Sequence, residues 1–127
     1  MTRKAPGPTA RRRAAKRRKD TAVAKKVREY VDGRDGYCRI AKNISAVAAL
    51  GRCDGPSEWA HLHSHRRSKT RGQEPESRHT AAHSVKLCRQ HHRMYDAKAF
   101  DIVAVDAIGA EGELLVKRFY REDYDTI

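Results

Sequence analysis

The sequence predicts a small α+β domain built around a cluster of histidines, and three observations lead to that prediction. All seven histidines lie between His61 and His92. Apolar residues at helical spacing precede this window, and short alternating stretches typical of strands occur within it and after it. The length of 127 residues is that of one domain. We therefore expect an N-terminal helix, a mixed strand-and-helix centre and a C-terminal β-hairpin.

The N-terminal part of the chain divides into a tail and a helix. Residues 1–19 are rich in proline, glycine and arginine, which predicts a disordered basic tail. The domain itself is expected to span residues 20–127. Its first helix begins at Asp20 or Thr21, either of which can cap it, and ends at Gly33 after about three turns.

The middle of the chain alternates short strands with polar segments. Residues 37–40 predict a strand after a turn, whereas the small apolar residues 41–50 fit either a short helix or a packed loop. Residues 58–63 alternate apolar and polar side chains, as a strand with one polar face does. Residues 64–78 are polar, basic and interrupted by glycine and proline, which predicts a long loop. Long loops in compact domains are usually functional.

The remaining elements complete the predicted domain. Residues 83–87 fit a second strand, and residues 88–98 fit a helix. Residues 100–105 and 113–119 read as two further strands. The glycine-containing segment between them predicts a hairpin that covers one side of the core.

The net charge of +12 is concentrated near the N-terminus, where residues 1–30 carry twelve Lys or Arg and two acidic residues. Such a segment binds polyanions because neutralised phosphates release condensed counterions. DNA is the expected partner, and the alternative is a solvated tail that only raises solubility or directs localisation. The candidate DNA contacts in the tail are Arg11, Arg12, Arg13, Arg17 and Arg18.

Composition also bears on the cellular compartment. No apolar run is long enough to cross a membrane, and the basic tail offers no bulky apolar face to insert into one. Three cysteines cannot all pair with one another, and no secretory signal opens the chain. We therefore expect a cytoplasmic protein without a membrane partner, whose reduced thiols are available as metal ligands.

Cysteines and one histidine have the spacing of a structural zinc site. Cys88 and His91 are separated by two residues, as in half of such a site. Cys38 and Cys53 lie in turn-like sequence and could complete the tetrahedron in three dimensions. A structural Zn²⁺ would supply stability that so small a core lacks. The alternative is three buried thiols without metal, since cysteine packs like a small apolar residue.

The order of these segments resembles the HNH endonuclease family, especially its small phage-type members. The resembling segments are R-D-G-Y-C at 34–38, E-W-A-H-L at 58–62, R-H-T-A-A-H-S-V-K-L-C at 78–88 and H-H-R-M-Y-D at 91–96. The resemblance covers roughly residues 27–120. It implies a ββα-metal core, with a histidine at the end of one strand, an asparagine or histidine near the second, and a last histidine on the helix.

In that family the first histidine is the general base and the last histidine binds a catalytic divalent metal. By this resemblance His61 takes the proton from the attacking water, and His92 ligates Mg²⁺, Mn²⁺ or Ni²⁺. Asp96 follows His92 by four residues, so a helix places both on one face. The alternatives are that His61 is a zinc ligand or an ordinary strand residue, and that His92 and Asp96 are a surface pair.

Two positions depart from the family pattern. His83 occupies the middle catalytic position, where asparagine is most frequent. Histidine can ligate a metal through nitrogen but lacks the amide oxygen. Ala60 stands where many members have an acidic residue or histidine that also contacts the metal. His63 could replace that ligand, while His65 and His79 could contact phosphate or fill the loop.

Basic residues around the predicted site are candidates for holding the DNA backbone and for stabilising charge on phosphorus. They are Arg66, Arg67, Lys69, Arg71, Arg89 and Arg93. The alternative for these residues is a solvated charged surface. Trp59 is expected to belong to the core rather than to stack on bases.

Together these features predict a metal-dependent HNH endonuclease that nicks or cuts DNA. The resemblance implies a phage or mobile-element protein that serves genome packaging or homing, with phage packaging proteins as further partners. A zinc-stabilised DNA-binding module that has lost catalysis is the alternative. A basic RNA-binding or ribosome-associated protein is a third class, which has no need for the ordered histidines.

Overall fold

The computed structural model describes residues 7–118 and 124–127. These residues form an α+β fold with two small antiparallel sheets, so the predicted class is confirmed. The helices are α1 (Pro8–Asp35), α2 (Ile44–Leu50), α3 (Pro75–Arg78) and α4 (Arg89–Asp96). The strands are β1 (Ser57–His61), β2 (Ser84–Cys88), β3 (Phe100–Ala104), β4 (Leu114–Arg118) and β5 (Tyr124–Thr126).

Helix α1 is longer than predicted because it begins at Pro8 rather than at residue 20. Proline suits the first helical position, and the alanines and arginines that follow are strong helix formers. The segment predicted to be disordered is thus helical from Pro8 onward, while residues 1–6 lie outside the described part of the chain. The helix continues through Gly33 and ends at Asp35, and the capping residue Gly36 has a φ of 75° that suits glycine.

The strand predicted over residues 37–40 is wrong, because a 3₁₀ turn occupies Arg39–Lys42. The backbone hydrogen bonds of this turn are local, so it needs no neighbouring strand. Residues 41–50 were expected to form either a short helix or a packed loop, and the structure has helix α2 in this segment. The Asn43 side chain caps this helix by accepting a hydrogen bond of 3.0 Å from the N–H of Ala46.

Strands β1 and β2 pair in antiparallel fashion, with Ala60 opposite Val85 and His61 opposite Ser84. Both strands were expected from the sequence, and their observed ends differ from the predicted ends by one or two residues. Helix α4 follows β2 directly, and the Cys88 sulfur caps its first turn. The helix predicted after the second strand is therefore confirmed.

The segment predicted as a long loop, residues 64–78, is partly ordered against α1. It ends in the short helix α3. Lys19 of α1 lies 3.0 Å from a carboxylate oxygen of Glu76 in α3. The end of the loop therefore contacts α1.

The C-terminal hairpin is confirmed, since β3 and β4 pair with Phe100 opposite Arg118. Strand β5, which the sequence did not predict, adds a third strand beside β4. Phe119, the last residue of the predicted strand, lies outside the described residues. The connection between β3 and β4 passes through Gly109, whose φ is 61° and whose missing side chain leaves room for the carbonyl of Ala82.

The core lies between α4, the β1–β2 pair and the C-terminal sheet. Its largest fully buried apolar side chains are Ile40, Val85, Leu87, Tyr95, Phe100 and Leu114. Trp59, predicted to belong to the core, is only partly buried. Among the described residues no helix combines the length and apolar character needed to span a bilayer.

The β1–β2 pair has two differently covered faces. Successive side chains of a strand point to opposite faces, so Trp59 and His61 share one face and Glu58 and Ala60 the other. Helix α1 lies on the first face, where Lys86 of β2 pairs with Asp32 of α1. Helix α4 lies on the second face, where its residues contact Glu58. This arrangement determines which predicted site residues can meet.

Candidate metal and histidine sites

Three cysteines and one histidine converge on one point, as the sequence predicted. The four potential ligand atoms all lie within 4.8 Å of one another. The Nδ1 atom of His91 lies 3.5 Å from the Sγ of Cys38, 3.7 Å from that of Cys53 and 3.3 Å from that of Cys88. Tetrahedral zinc with ordinary Zn–S and Zn–N bond lengths separates such N and S atoms by about 3.6 Å. The cluster could therefore hold a metal ion such as zinc.

Local structure positions each member of this Cys₃His cluster. Cys38 precedes the 3₁₀ turn, Cys53 lies between α2 and β1, and Cys88 joins β2 to α4. His91 lies in the first turn of α4, and its Nε2 lies 2.8 Å from the carbonyl oxygen of Gly51. A carbonyl only accepts hydrogen bonds, so Nε2 carries the proton and Nδ1 presents a lone pair to the sulfurs.

The electrostatics of the cluster also favour a bound cation. Burial and the neighbouring Cys38 and Cys88 raise the pKa of Cys53 to about 12. Thiolates this close together repel one another. A divalent cation removes the repulsion and deprotonates coordinating thiols.

His92 points away from the Cys₃His cluster and lies between two carboxylates. Its Nδ1 is 3.1 Å from Oε1 of Glu58, and its Nε2 is 3.5 Å from Oδ2 of Asp96. Hydrogen bonds from His92 and Arg89 hold the pKa of Glu58 below its usual range. Sequence reasoning missed Glu58, although it precedes Ala60 by two residues and therefore shares its strand face.

The predicted catalytic metal ligands His83, His92 and Asp96 do not meet at one point. The Nδ1 atom of His83 lies 2.7 Å from the hydroxyl of Thr80, and its ring stacks on His65 at 3.7 Å between centroids. Within residues 7–118 and 124–127, the Cys₃His cluster is the one group of three or more potential ligands that share a common point.

The structure shows the surroundings of Ala60 and of His63, the residue expected to replace the ligand that Ala60 lacks. Ala60 is 1% exposed on the α4 side of β1, so a ligand at this position would have faced α4. His63 is not free to act as the metal ligand that Ala60 lacks. Its ring stacks on Tyr95, and its two nitrogens lie 3.2 Å from the carbonyl oxygen of Tyr95 and 3.3 Å from Asp101.

His61 belongs to a hydrogen-bonded chain on the α1 side of the sheet. Its Nε2 lies 3.0 Å from Nδ1 of His79, whose Nε2 lies 2.9 Å from Oδ1 of Asp20 in α1. Trp59 packs on the His61 ring with centroids 4.4 Å apart. Burial, then the neighbouring His79, lowers the pKa of His61 to about 4. His61 is therefore neutral at neutral pH and able to accept a proton.

The predicted DNA contacts are distributed over both sides of the sheet. Arg66 lies 3.4 Å from Asp96 and above the Tyr95 ring, and Arg89 lies 3.2 Å from Glu58. The other predicted contacts are exposed: Arg67, Lys69, Arg71, Arg93, Arg11, Arg12, Arg13, Arg17 and Arg18.

Comparisons with known proteins identify no relative of this chain. The chain matches no protein-family model, no curated protein and no solved structure. The described residues offer one Cys₃His cluster, one imidazole between carboxylates, and one neutral imidazole in a hydrogen-bonded chain.

Proposed function

We propose that this protein is a metal-dependent endonuclease of the HNH type that hydrolyses phosphodiester bonds in DNA. The observation that carries the proposal is the setting of His92 on α4. Its Nδ1 is engaged by Glu58, and its Nε2 faces Asp96. A metal-ligating histidine characteristically gives its second nitrogen to a carboxylate in this way.

The gap between His92 and Asp96 suits a small divalent cation. A cation that binds two ligands at ordinary Mg²⁺ or transition-metal distances separates them by about 3 to 3.5 Å. The observed separation between Nε2 and Oδ2 is 3.5 Å. Asp96 is exposed, so water and a phosphate oxygen could complete the coordination shell. Such an ion would neutralise charge that develops on the phosphate and on the leaving oxygen.

His61 is the proposed general base. It stands at the last position of β1 and is neutral at neutral pH, as a base must be to accept a proton from water. His79 lies beside its Nε2 and could fix the orientation of the ring. General bases of this kind contribute about 10²- to 10⁴-fold in rate.

A zinc-stabilised DNA-binding module without catalysis is the second candidate. The specific observation in its favour is the position of Ala60, which faces α4 without offering a ligand. His61 and His92 also lie on opposite faces of β1, with hydrogen-bond partners on different helices. Under this alternative both histidines serve packing and DNA contact.

Plasmid cleavage separates the two candidates. Supercoiled plasmid is incubated with the protein and Mg²⁺, Mn²⁺ or Ni²⁺, and nicked and linear products are quantified. We expect His92→Ala and His61→Ala each to lower the cleavage rate by at least about 100-fold, while the exposed control Val105→Ala cleaves normally. A wild-type protein that binds the plasmid but does not cleave it with any of the metals would establish the DNA-binding alternative.

A further inference from the structure

We propose that a cleft between α1 and the segment before β2 binds a phosphate group of the DNA backbone. This inference extends the proposed function. It depends on that function only because it takes DNA as the ligand. The cleft has a volume of about 440 Å³. It is lined by Lys16, Arg17, Asp20, Thr21, Arg67 and Arg78.

The charge of the cleft is strongly unbalanced. Four of its six lining residues are cationic, and Asp20 is the one acid among them. Asp20 is already engaged, since its Oδ1 lies 3.2 Å from Arg78 and 2.9 Å from His79. Lys16, Arg17 and Arg67 make no ion pair with any residue that the structure describes. An anion in the cleft would relieve the repulsion among these cations.

The chemistry of the lining favours phosphate in particular. Arginine presents a planar fork of donors that matches phosphate oxygens, and the Thr21 hydroxyl can add a neutral donor. These donors come from α1 and from a segment about 50 residues later in the chain. Their convergence in one cleft is a property of the fold rather than of a local run of basic sequence.

A polymer of phosphates fits the surroundings better than a free anion does. Arg13 precedes Lys16 by three residues and Arg17 by four, so all three lie on one face of α1. Toward its N-terminus α1 continues to Pro8 with exposed cations. A nucleic acid strand with one phosphate in the cleft can therefore place further phosphates along the helix.

The walls of the cleft are held together before any ligand binds. Lys19 pairs with Glu76 at 3.0 Å, and Asp20 bonds to both Arg78 and His79. These contacts join α1 to the end of the loop, so less conformational entropy is lost on binding. The same chain leads from Asp20 through His79 to His61, which places the cleft next to the proposed base.

A matched pair of double variants tests the proposal. Lys16→Gln/Arg17→Gln removes two charges from the cleft, and Lys26→Gln/Arg28→Gln removes one lysine and one arginine from exposed positions of the same helix outside it. Affinity for a fluorescent 20-base-pair DNA duplex is measured by anisotropy over a range of salt concentrations, without added divalent metal. Circular dichroism checks that each variant keeps the wild-type melting temperature.

We expect the cleft variant to lose about tenfold or more in affinity and its salt slope to fall by about one, as for one lost phosphate contact. The control should lose less than about threefold. Equal losses in the two variants would overturn the proposal, because they would show general attraction instead of a site. This experiment measures binding and not cleavage. A protein that does not cleave DNA can therefore still show the expected loss of affinity, and equal losses in the two variants would not change the result of the cleavage experiment.

Nuclear magnetic resonance locates the bound phosphate. The Arg67 and Arg78 side-chain Nε–H signals of the wild-type protein are followed during titration with inorganic phosphate and then with the DNA duplex. We expect both ligands to shift these signals, and the shifts to be lost in the cleft variant. Absence of shifts with DNA would overturn the proposal. An RNA duplex of the same sequence that binds more tightly and shifts the same signals would overturn the assignment to DNA.

Discussion

At the scale of single residues, two adjacent histidines serve different sites. His91 is fully buried against the three cysteines, whereas His92 faces Glu58. The α-helix turns by about 100° per residue, so neighbouring side chains point to different sides. His91 therefore belongs to the Cys₃His cluster, whereas His92 belongs to the proposed catalytic metal site on another side of the helix.

Replacement of Cys88 by serine tests the Cys₃His cluster. Serine is a good helix N-cap, so Cys88→Ser keeps a capping acceptor for α4 while removing a thiolate ligand. We expect the variant to lose bound zinc, measured by elemental analysis of purified protein, and to melt at a lower temperature. His92→Ala, a change at the neighbouring histidine, should retain the zinc. A Cys88→Ser protein with a full complement of zinc and wild-type stability would contradict the assignment.

The partly buried imidazole of His61 should make stability depend on pH. Its pKa is lowered from 6.5 to about 4, first by burial. Between these values the unfolded chain binds a proton that the native state does not, so the free energy of unfolding falls as pH decreases from about 6.5 to about 4. We expect urea unfolding at pH 7 and pH 5 to show a larger loss of stability for wild type than for His61→Gln. Equal losses in the two proteins would contradict the lowered pKa.

At the scale of elements, one buried carboxylate attaches α1 to the rest of the fold. Asp35 is 4% exposed at the last position of the helix. It accepts hydrogen bonds from Arg34, from Arg39 at 3.0 Å and from the backbone N–H of Lys86 at 3.0 Å. Burial is the largest single influence and opposes its ionisation, but the hydrogen bonds from Arg34 and Lys86 together with the charges of Arg34 and Arg39 lower the pKa of Asp35.

Asp35→Asn should therefore destabilise the protein strongly. The change removes the charge that Arg34 and Arg39 face, and loss of one partner of a buried ion pair costs about 3 to 5 kcal/mol. The control is Glu29→Gln, which removes a carboxylate from an exposed position of the same helix. It should cost about 1 kcal/mol or less, because exposed charges contribute little. Urea unfolding measures both, and similar costs would show that α1 is attached by other contacts.

At the scale of the whole molecule, the exposed cations of α1 and the residues that stabilise the fold lie in different parts of the chain. The first turns of α1 carry exposed cations and contribute no residue to the buried core. The core and the Cys₃His cluster lie beyond residue 30. The start of α1 can therefore act in binding without supporting the fold.

Deletion of residues 1–15 tests this division. Among the described residues, the ion pairs between α1 and the loop involve Lys19 and Asp20, which the deletion keeps, so the melting temperature should be unchanged. It should weaken binding to two unrelated DNA duplexes equally and reduce the salt dependence of both, because phosphate contacts carry no sequence information. Selective loss of one duplex would contradict a purely electrostatic role.

Much of the local structure was predictable from the sequence because its causes are local. The β1 and β2 strands, α4 and the C-terminal hairpin follow from hydrophobic periodicity and turn residues. The spacing of Cys88 and His91 also follows from sequence, because a cap and the first turn of a helix bring residues three apart together. Residues 37–40 show where such reasoning fails, since a strand requires a partner that the local sequence does not supply.

The partners of the site histidines were decided by tertiary structure alone. Glu58 reaches His92 from a strand 34 residues earlier, and Asp20 reaches His79 from a helix 59 residues earlier. No local pattern encodes such pairs, because they depend on how α1 and α4 pack on opposite faces of one small sheet. The sequence by itself determined which side chains were available for metal and phosphate. Packing determined which of them meet, since hydrogen bonds and ligand geometry act over distances of only a few ångströms.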